Sequence, residues 1–161
     1  MSLTYRFEVY GLPTAQGSKR AFVSSKTGRA HVVETNASKV KTWREDVKAA
    51  ALTALEAGDG VGMSGPVNVG LRFYFPRPKS HYRTGKNSHL LRGAAPIYPA
   101  SKPDIDKVIR STFDAITTSG LWGDDRQVVM LLAEKFYANE THHVGAIVLI
   151  EELVNAQGER A

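Results

Sequence analysis

Apolar and polar residues alternate along LTYRFEVY, residues 3–10, and this period of two predicts a strand that Gly11-Leu12-Pro13 ends. TAQGSKR follows as a polar, turn-rich segment. RAFVS (20–24) and AHVVE (30–34) read as a hairpin around Lys26-Thr27-Gly28. The period then lengthens. Val40, Trp43, Val47, Ala51 and Leu55 recur at spacings of three and four, so a helix capped by Asn36 or Ser38 runs to about Ala57 and stops at Gly58-Asp59-Gly60. PVNVGLRFYF, residues 66–75, returns to alternation, with Val67, Val69, Leu71, Phe73 and Phe75 on one face. Residues 76–102 show no clear periodicity.

A second helix is expected over 104–118, with Ile105, Val108, Ile109, Thr112, Phe113 and Ile116 on its buried face and Ser119-Gly120 at its end. Two strands follow, roughly 127–138 and 143–152, joined by the polar turn Asn139-Glu140-Thr141. Strands near both ends with helices between them imply an α+β fold: a small mixed or antiparallel sheet packed against two main helices. One domain over 1–155 is expected, with 156–161 as a flexible tail and 76–102 as a mobile loop. Its 161 residues suffice for one core.

Composition narrows the chemistry. The chain has no cysteine, which excludes disulfides, thiolate zinc sites and cysteine nucleophiles, so any metal must be held by oxygen or imidazole. No apolar run is long enough to span a membrane, and MSLTYRFEVYG has no basic segment leading into an apolar block, so a cytoplasmic protein is expected. The formal charge is +5. It is unevenly placed. Between Pro76 and Pro103 stand Arg77, Lys79, Arg83, Lys86, Arg92 and Lys102 with no Asp or Glu, and Lys19, Arg20, Lys26 and Arg29 form a second basic set. Such segments neutralise phosphates and release counterions. His142-His143 read as surface residues at a turn, Trp43 and Trp122 as packing residues, and Tyr82 and Tyr98 as structural rather than base-stacking.

Against this background, KPDIDKVIRSTFDAITTSGLWGDDRQV, residues 102–128, gathers Asp104, Asp106, Asp114, Asp124 and Asp125. Two readings are open. In one, Asp104 caps the helix, Asp106 and Asp114 pair with Arg110 on a solvated face, and Asp124-Asp125 is a turn. In the other, the carboxylates hold Mg²⁺, which prefers oxygen ligands, activates water and offsets charge on a phosphoryl group. A basic loop beside an acid cluster suits the second: the metal cuts, the loop grips the DNA backbone. The helix between Asp104 and Asp125 spans roughly 22 Å. Sequence leaves open whether these acids meet, and whether a second subunit or the loop at Trp122 brings them together.

At these residues the chain resembles the RusA family of Holliday junction endonucleases. That core reads approximately Pro-Asp-x-Asp-Asn-Leu-x-Lys, Asp-Ala-Leu, Gly, Asp-Asp-x-Gln-Val. Here it stands as Pro103-Asp104-Ile105-Asp106-Lys107-Val108-Ile109-Arg110, Asp114-Ala115-Ile116, Gly120, Asp124-Asp125-Arg126-Gln127-Val128. Gln16-Gly17-Ser18-Lys19-Arg20 and the element order are also similar. The resemblance implies Mg²⁺, with Mn²⁺ as a substitute, held by Asp104, Asp106 and Asp125 with Asp124 assisting. It implies Arg110 in the place of a catalytic lysine. Arginine keeps the charge but is a poor proton donor. Lys107 replaces the usual asparagine. DNA contacts fall to Lys19, Arg20, Arg77, Lys79, Arg83, Lys86, Lys102 and Lys107. The implied protein is a homodimer that resolves four-way junctions by paired symmetric nicks, with metal-activated water hydrolysing the phosphodiester. Two rivals are a non-catalytic basic DNA-binding module and a metal-dependent phosphohydrolase acting on smaller nucleotides.

Overall fold

A computed structural model describes residues 2–17, 19–34 and 36–154, with the side chains of residues 19, 20, 22 and 31–34 outside the description. The expected tail, 156–161, also lies outside it. Six strands and two long helices appear in chain order: β1 (Thr4–Tyr10), β2 (Lys19–Val23), β3 (Ala30–Glu34), α1 (Ala37–Ala57), β4 (Val67–Phe75), α2 (Ile105–Ser119), β5 (Val128–Tyr137) and β6 (Gly145–Glu152). β1, β6, β4 and β5 form one mixed sheet in that order, and β2 and β3 pair separately as the expected hairpin.

Alternation decides what the sheet buries. Tyr5, Phe7 and Val9 of β1, the odd positions Val67–Phe75 of β4, and Ala146, Val148 and Ile150 of β6 all face inward. They meet Trp43, Val47 and Ala51 of α1 and Val108, Phe113, Ala115 and Ile116 of α2. Both tryptophans are core residues, as expected, and each donates its indole N–H to a threonine of α2: Trp43 to Thr112 and Trp122 to Thr117. Asn36 does occupy the position before α1, but in a left-handed conformation (φ 73°) and without a side-chain capping bond.

The sheet order departs from the expected pairing of the last two strands. β5 and β6 are not neighbours, because β4 lies between them, parallel to β5 and antiparallel to β6. The physical reason is burial. β4 is buried at six of its nine positions, and it gains hydrogen-bonded partners and cover on both sides when it is central. β4, α2 and β5 therefore form a β-α-β crossover, and the segment Ala138–Val144 passes over the end of β4. β5 is left as a sheet edge.

Segment 76–102 carries structure of its own. Tyr82 and Leu91 form an isolated antiparallel bridge, Arg92 donates its backbone N–H to His81 O at 2.9 Å, and Arg83 donates its own to Leu90 O at 2.8 Å. The result is a small, largely exposed hairpin whose His81 ring meets the Tyr137 ring of β5 edge-on. None of the helices is long and apolar enough to cross a membrane among the described residues.

Candidate active site

The site begins at the start of α2. Asp104 takes the N-cap position but caps nothing. Its carboxylate instead accepts from Lys107 Nζ at 2.9 Å. That hydrogen bond and charge hold the Asp104 carboxyl below the usual range, with Lys102 and Lys135 adding to the effect, and Asp104 holds the Lys107 ammonium above its own. Asp104 is thus a committed anion on the surface. Asp106 follows in the first turn, and Arg110 stands four residues on, both exposed. The helical period puts the two on one face. Neither makes a hydrogen bond or ion pair among the described residues. Asp114 does not pair with Arg110, as the solvated-face reading expected. It pairs with Arg44 of α1, tying the two helices together.

Lys135 is a residue that the sequence reading missed. It lies on the helix-facing side of β5, opposite Phe73 of β4, and donates Nζ to Ser101 O at 2.6 Å and Pro103 O at 2.8 Å. The signal was available: a lysine among inward positions of a strand otherwise apolar there. It fixes the chain just before Asp104 and contributes positive charge.

Asp124 and Asp125 are held by a different set of contacts. Gly120 ends α2 in the left-handed region (φ 78°) that glycine favours. Gly62 passes so close that a Cβ there would meet Gly120 O at 2.8 Å. Met63 can therefore donate its N–H to Leu121 O at 2.8 Å. Asp124 caps a 3₁₀ turn over Asp125–Gln127 by accepting from Arg126 N at 2.9 Å. The Gln127 side chain accepts from Gly123 N and Asp124 N and donates to Met63 O and Gly65 O. Glu152, buried at the end of β6, accepts from Ser64 N and Gly65 N. The turn is braced from below, Asp124 is occupied as a cap, and Asp125 is left exposed.

The two halves do not meet within one chain. Lys135, near the end of β5, reaches the start of α2, while Asp125 immediately precedes β5 at the other end of the helix. α2, roughly 22 Å long, lies between Asp104 and Asp125 in the chain. Accordingly, among the described residues no three His, Asp or Glu side chains group to hold a metal ion. Asp104 and Asp106 stand together. Asp125 does not join them.

The basic residues divide as well. Arg77 lies over the Tyr137 ring, 4.1 Å from its centroid, and donates to Pro96 O at 2.7 Å, so it braces the loop onto the sheet. Arg83 donates Nε to Leu91 O at 3.3 Å within the hairpin. Lys79, Lys86 and Lys102 are exposed. The side chains of Lys19 and Arg20 fall outside the described residues. His142 stacks on Tyr74 with centroids 4.7 Å apart, a packing role at the surface.

An acid pair next to a lysine network, a second braced acid and a basic hairpin are the parts of a nuclease surface. A family model described as endodeoxyribonuclease RusA matches residues 12–148. No curated protein matches the chain. The match spans the β1–β2 linker, both helices and every aspartate discussed above, and it decides against a non-catalytic binding module: the chain belongs to the RusA endodeoxyribonuclease family, hydrolases that resolve Holliday junctions.

Proposed function

We propose that the protein cuts four-way DNA junctions as a two-fold homodimer, with each active site shared between the subunits. The observation that supports this reading is the edge strand β5. Val129, Met130, Leu131 and Leu132 are 59, 56, 45 and 63 % exposed, on both faces of the sheet. A continuous apolar run is the pattern of a strand covered on both sides, and an uncovered apolar edge is a pairing template. β5 also connects the two half-sites. If a second copy pairs antiparallel to it about a two-fold at Met130, Asp125 of that copy falls opposite Lys135, next to the start of α2. One interface then completes two equivalent sites.

The donor set fits a hard cation. Mg²⁺ is commonly held by one or two carboxylates with water and substrate phosphate. Asp104 is held ionised and unused as a cap, and Asp106 is unpartnered among the described residues. These two and Asp125 of the second copy would hold Mg²⁺ or Mn²⁺. When bound, the cation supplies water activation and offsets phosphoryl charge. Arg110, on the same face as Asp106, clamps the scissile phosphate as a permanent cation and leaves proton donation to solvent. Lys107 keeps Asp104 charged and anchored. Lys79, Lys86, Lys102 and the basic hairpin grip flanking phosphates, and Lys19 and Arg20 are the further DNA contacts that the family resemblance implies.

Two sites related by a two-fold suit paired nicks in a two-fold junction. The expected result is symmetric cleavage of a synthetic four-way junction in Mg²⁺, arrested by EDTA, with duplex, flap and fork DNA as weaker competitors. Cutting that proceeds in EDTA, or that falls equally on plain duplex, would contradict the proposal.

A further inference from the structure

Beside Asp104 opens a cleft of 620 Å³, within the roughly 300–1,000 Å³ range of small-ligand sites. It lies between the β1–β2 linker, the proline-rich exit from β4 and the residues leading into α2. Phe75, Pro99 and Tyr137 give it apolar walls, Lys39 and Lys102 give it a cationic side, and the Asp104–Lys107 pair lines it as well. Arg77 over the Tyr137 ring fixes one wall in place. The cleft thus combines apolar walls with positive charge beside Asp104.

Gln16 adds a specific polar feature. Its backbone N–H donates to Lys107 O at 3.1 Å, tying the linker to the helix that carries the acids. Its side chain lines the cleft, yet Oε1 is buried and accepts no hydrogen bond among the described residues. A buried carbonyl oxygen without a donor is costly, and native structures keep few of them. A ligand carrying an N–H would satisfy it. A nucleotide matches every part: the apolar faces of a planar base for the walls, a phosphate for the lysines and an amino group for Gln16.

We propose that this cleft receives one nucleobase unstacked from the DNA beside the cleaved phosphate, and that Gln16 Oε1 accepts a hydrogen bond from its exocyclic amino group. This rests on the nuclease reading above and adds a base-recognition site to it. Gln16 becomes a specificity-determining residue, favouring adenine, cytosine or guanine over thymine, which has no exocyclic amine.

The test deletes the amino group from the DNA and the acceptor from the protein. Four-way junctions carry adenine, or purine lacking the amine, at each nucleotide flanking the cut. For the wild-type protein, adenine at one position is cut about tenfold faster than purine, the worth of one hydrogen bond to a site built for it. Gln16→Met cuts the two at the same rate, while Gln16→Glu, which keeps an acceptor oxygen, retains the difference. In EDTA, 2-aminopurine at that position brightens on binding as it leaves the stack. An amine effect absent at every position, or one that persists in Gln16→Met, overturns the base-recognition site alone. Loss of the effect in both variants, with junction binding intact, overturns the role of the acceptor oxygen. A wild-type protein that neither binds nor cuts junctions overturns the nuclease reading and this inference with it.

Discussion

Asp106→Asn abolishes junction cutting and leaves junction binding intact or tighter. The change is nearly isosteric at an exposed first-turn position, so folding is little affected. It removes one anion from the α2 start, where Asp104 alone remains beside Lys107. Residues that merely support a ligand are worth about 10–100-fold, so loss of a ligand itself should exceed about 100-fold in cutting rate. Binding moves the other way, because a carboxylate without its cation repels a phosphodiester. Cleavage of labelled junctions and gel-shift titration separate the two effects. Retained cutting would remove Asp106 from the site.

The second large effect lies away from any carboxylate. Met130→Glu combined with Leu132→Glu is expected to give a folded monomer that does not cut. Both residues are more than half exposed in the single chain, so the substitutions cost the isolated fold little, about 0.5 kcal/mol or less each. In the paired edge they would set like charges across the two-fold axis and bury them without partners. Sedimentation velocity reports the mass, and the junction assay reports the loss. A double variant that remains dimeric would place the interface elsewhere.

These two expectations show what could be read from the residues alone and what could not. Local periodicity sufficed for the elements: the stripe from Val40 to Leu55 is α1, and the odd positions of Val67–Phe75 are inward. Pairing between distant strands was less legible. Asn139-Glu140-Thr141 looks like a hairpin turn, and nothing nearby reveals that β4 displaces β6 from β5, since that choice is made by burial across the whole sheet. At the site, the aspartates and their spacing were plain. Their division was not, because it depends on the direction in which β5 returns along α2. Two supporting residues had local signals. Gln127 stands three after Asp124, the spacing of a capping box, and both halves of that box form. Lys135 interrupts an inward apolar set. Gln16 stood out only within the family-like segment Gln16–Arg20; its orphaned buried oxygen is visible only once the cleft is built.

The acid variants and the dimer edge meet in one measurement. Asp106→Asn and Asp125→Asn proteins are each inactive as homodimers. They are mixed, unfolded and refolded together, and assayed for nicking of a four-way junction. If each site takes Asp104 and Asp106 from one subunit and Asp125 from the other, a mixed dimer holds one doubly damaged site and one intact site. Half of the dimers are mixed, so the sample regains roughly a quarter of the wild-type sites, as nicks in one strand rather than paired cuts. If all three aspartates serve within one chain, no intact site exists in any dimer, and the mixture stays as inactive as its parts. Restored single-strand nicking is the predicted result. Continued inactivity, with mixed dimers shown to form, would contradict the shared site.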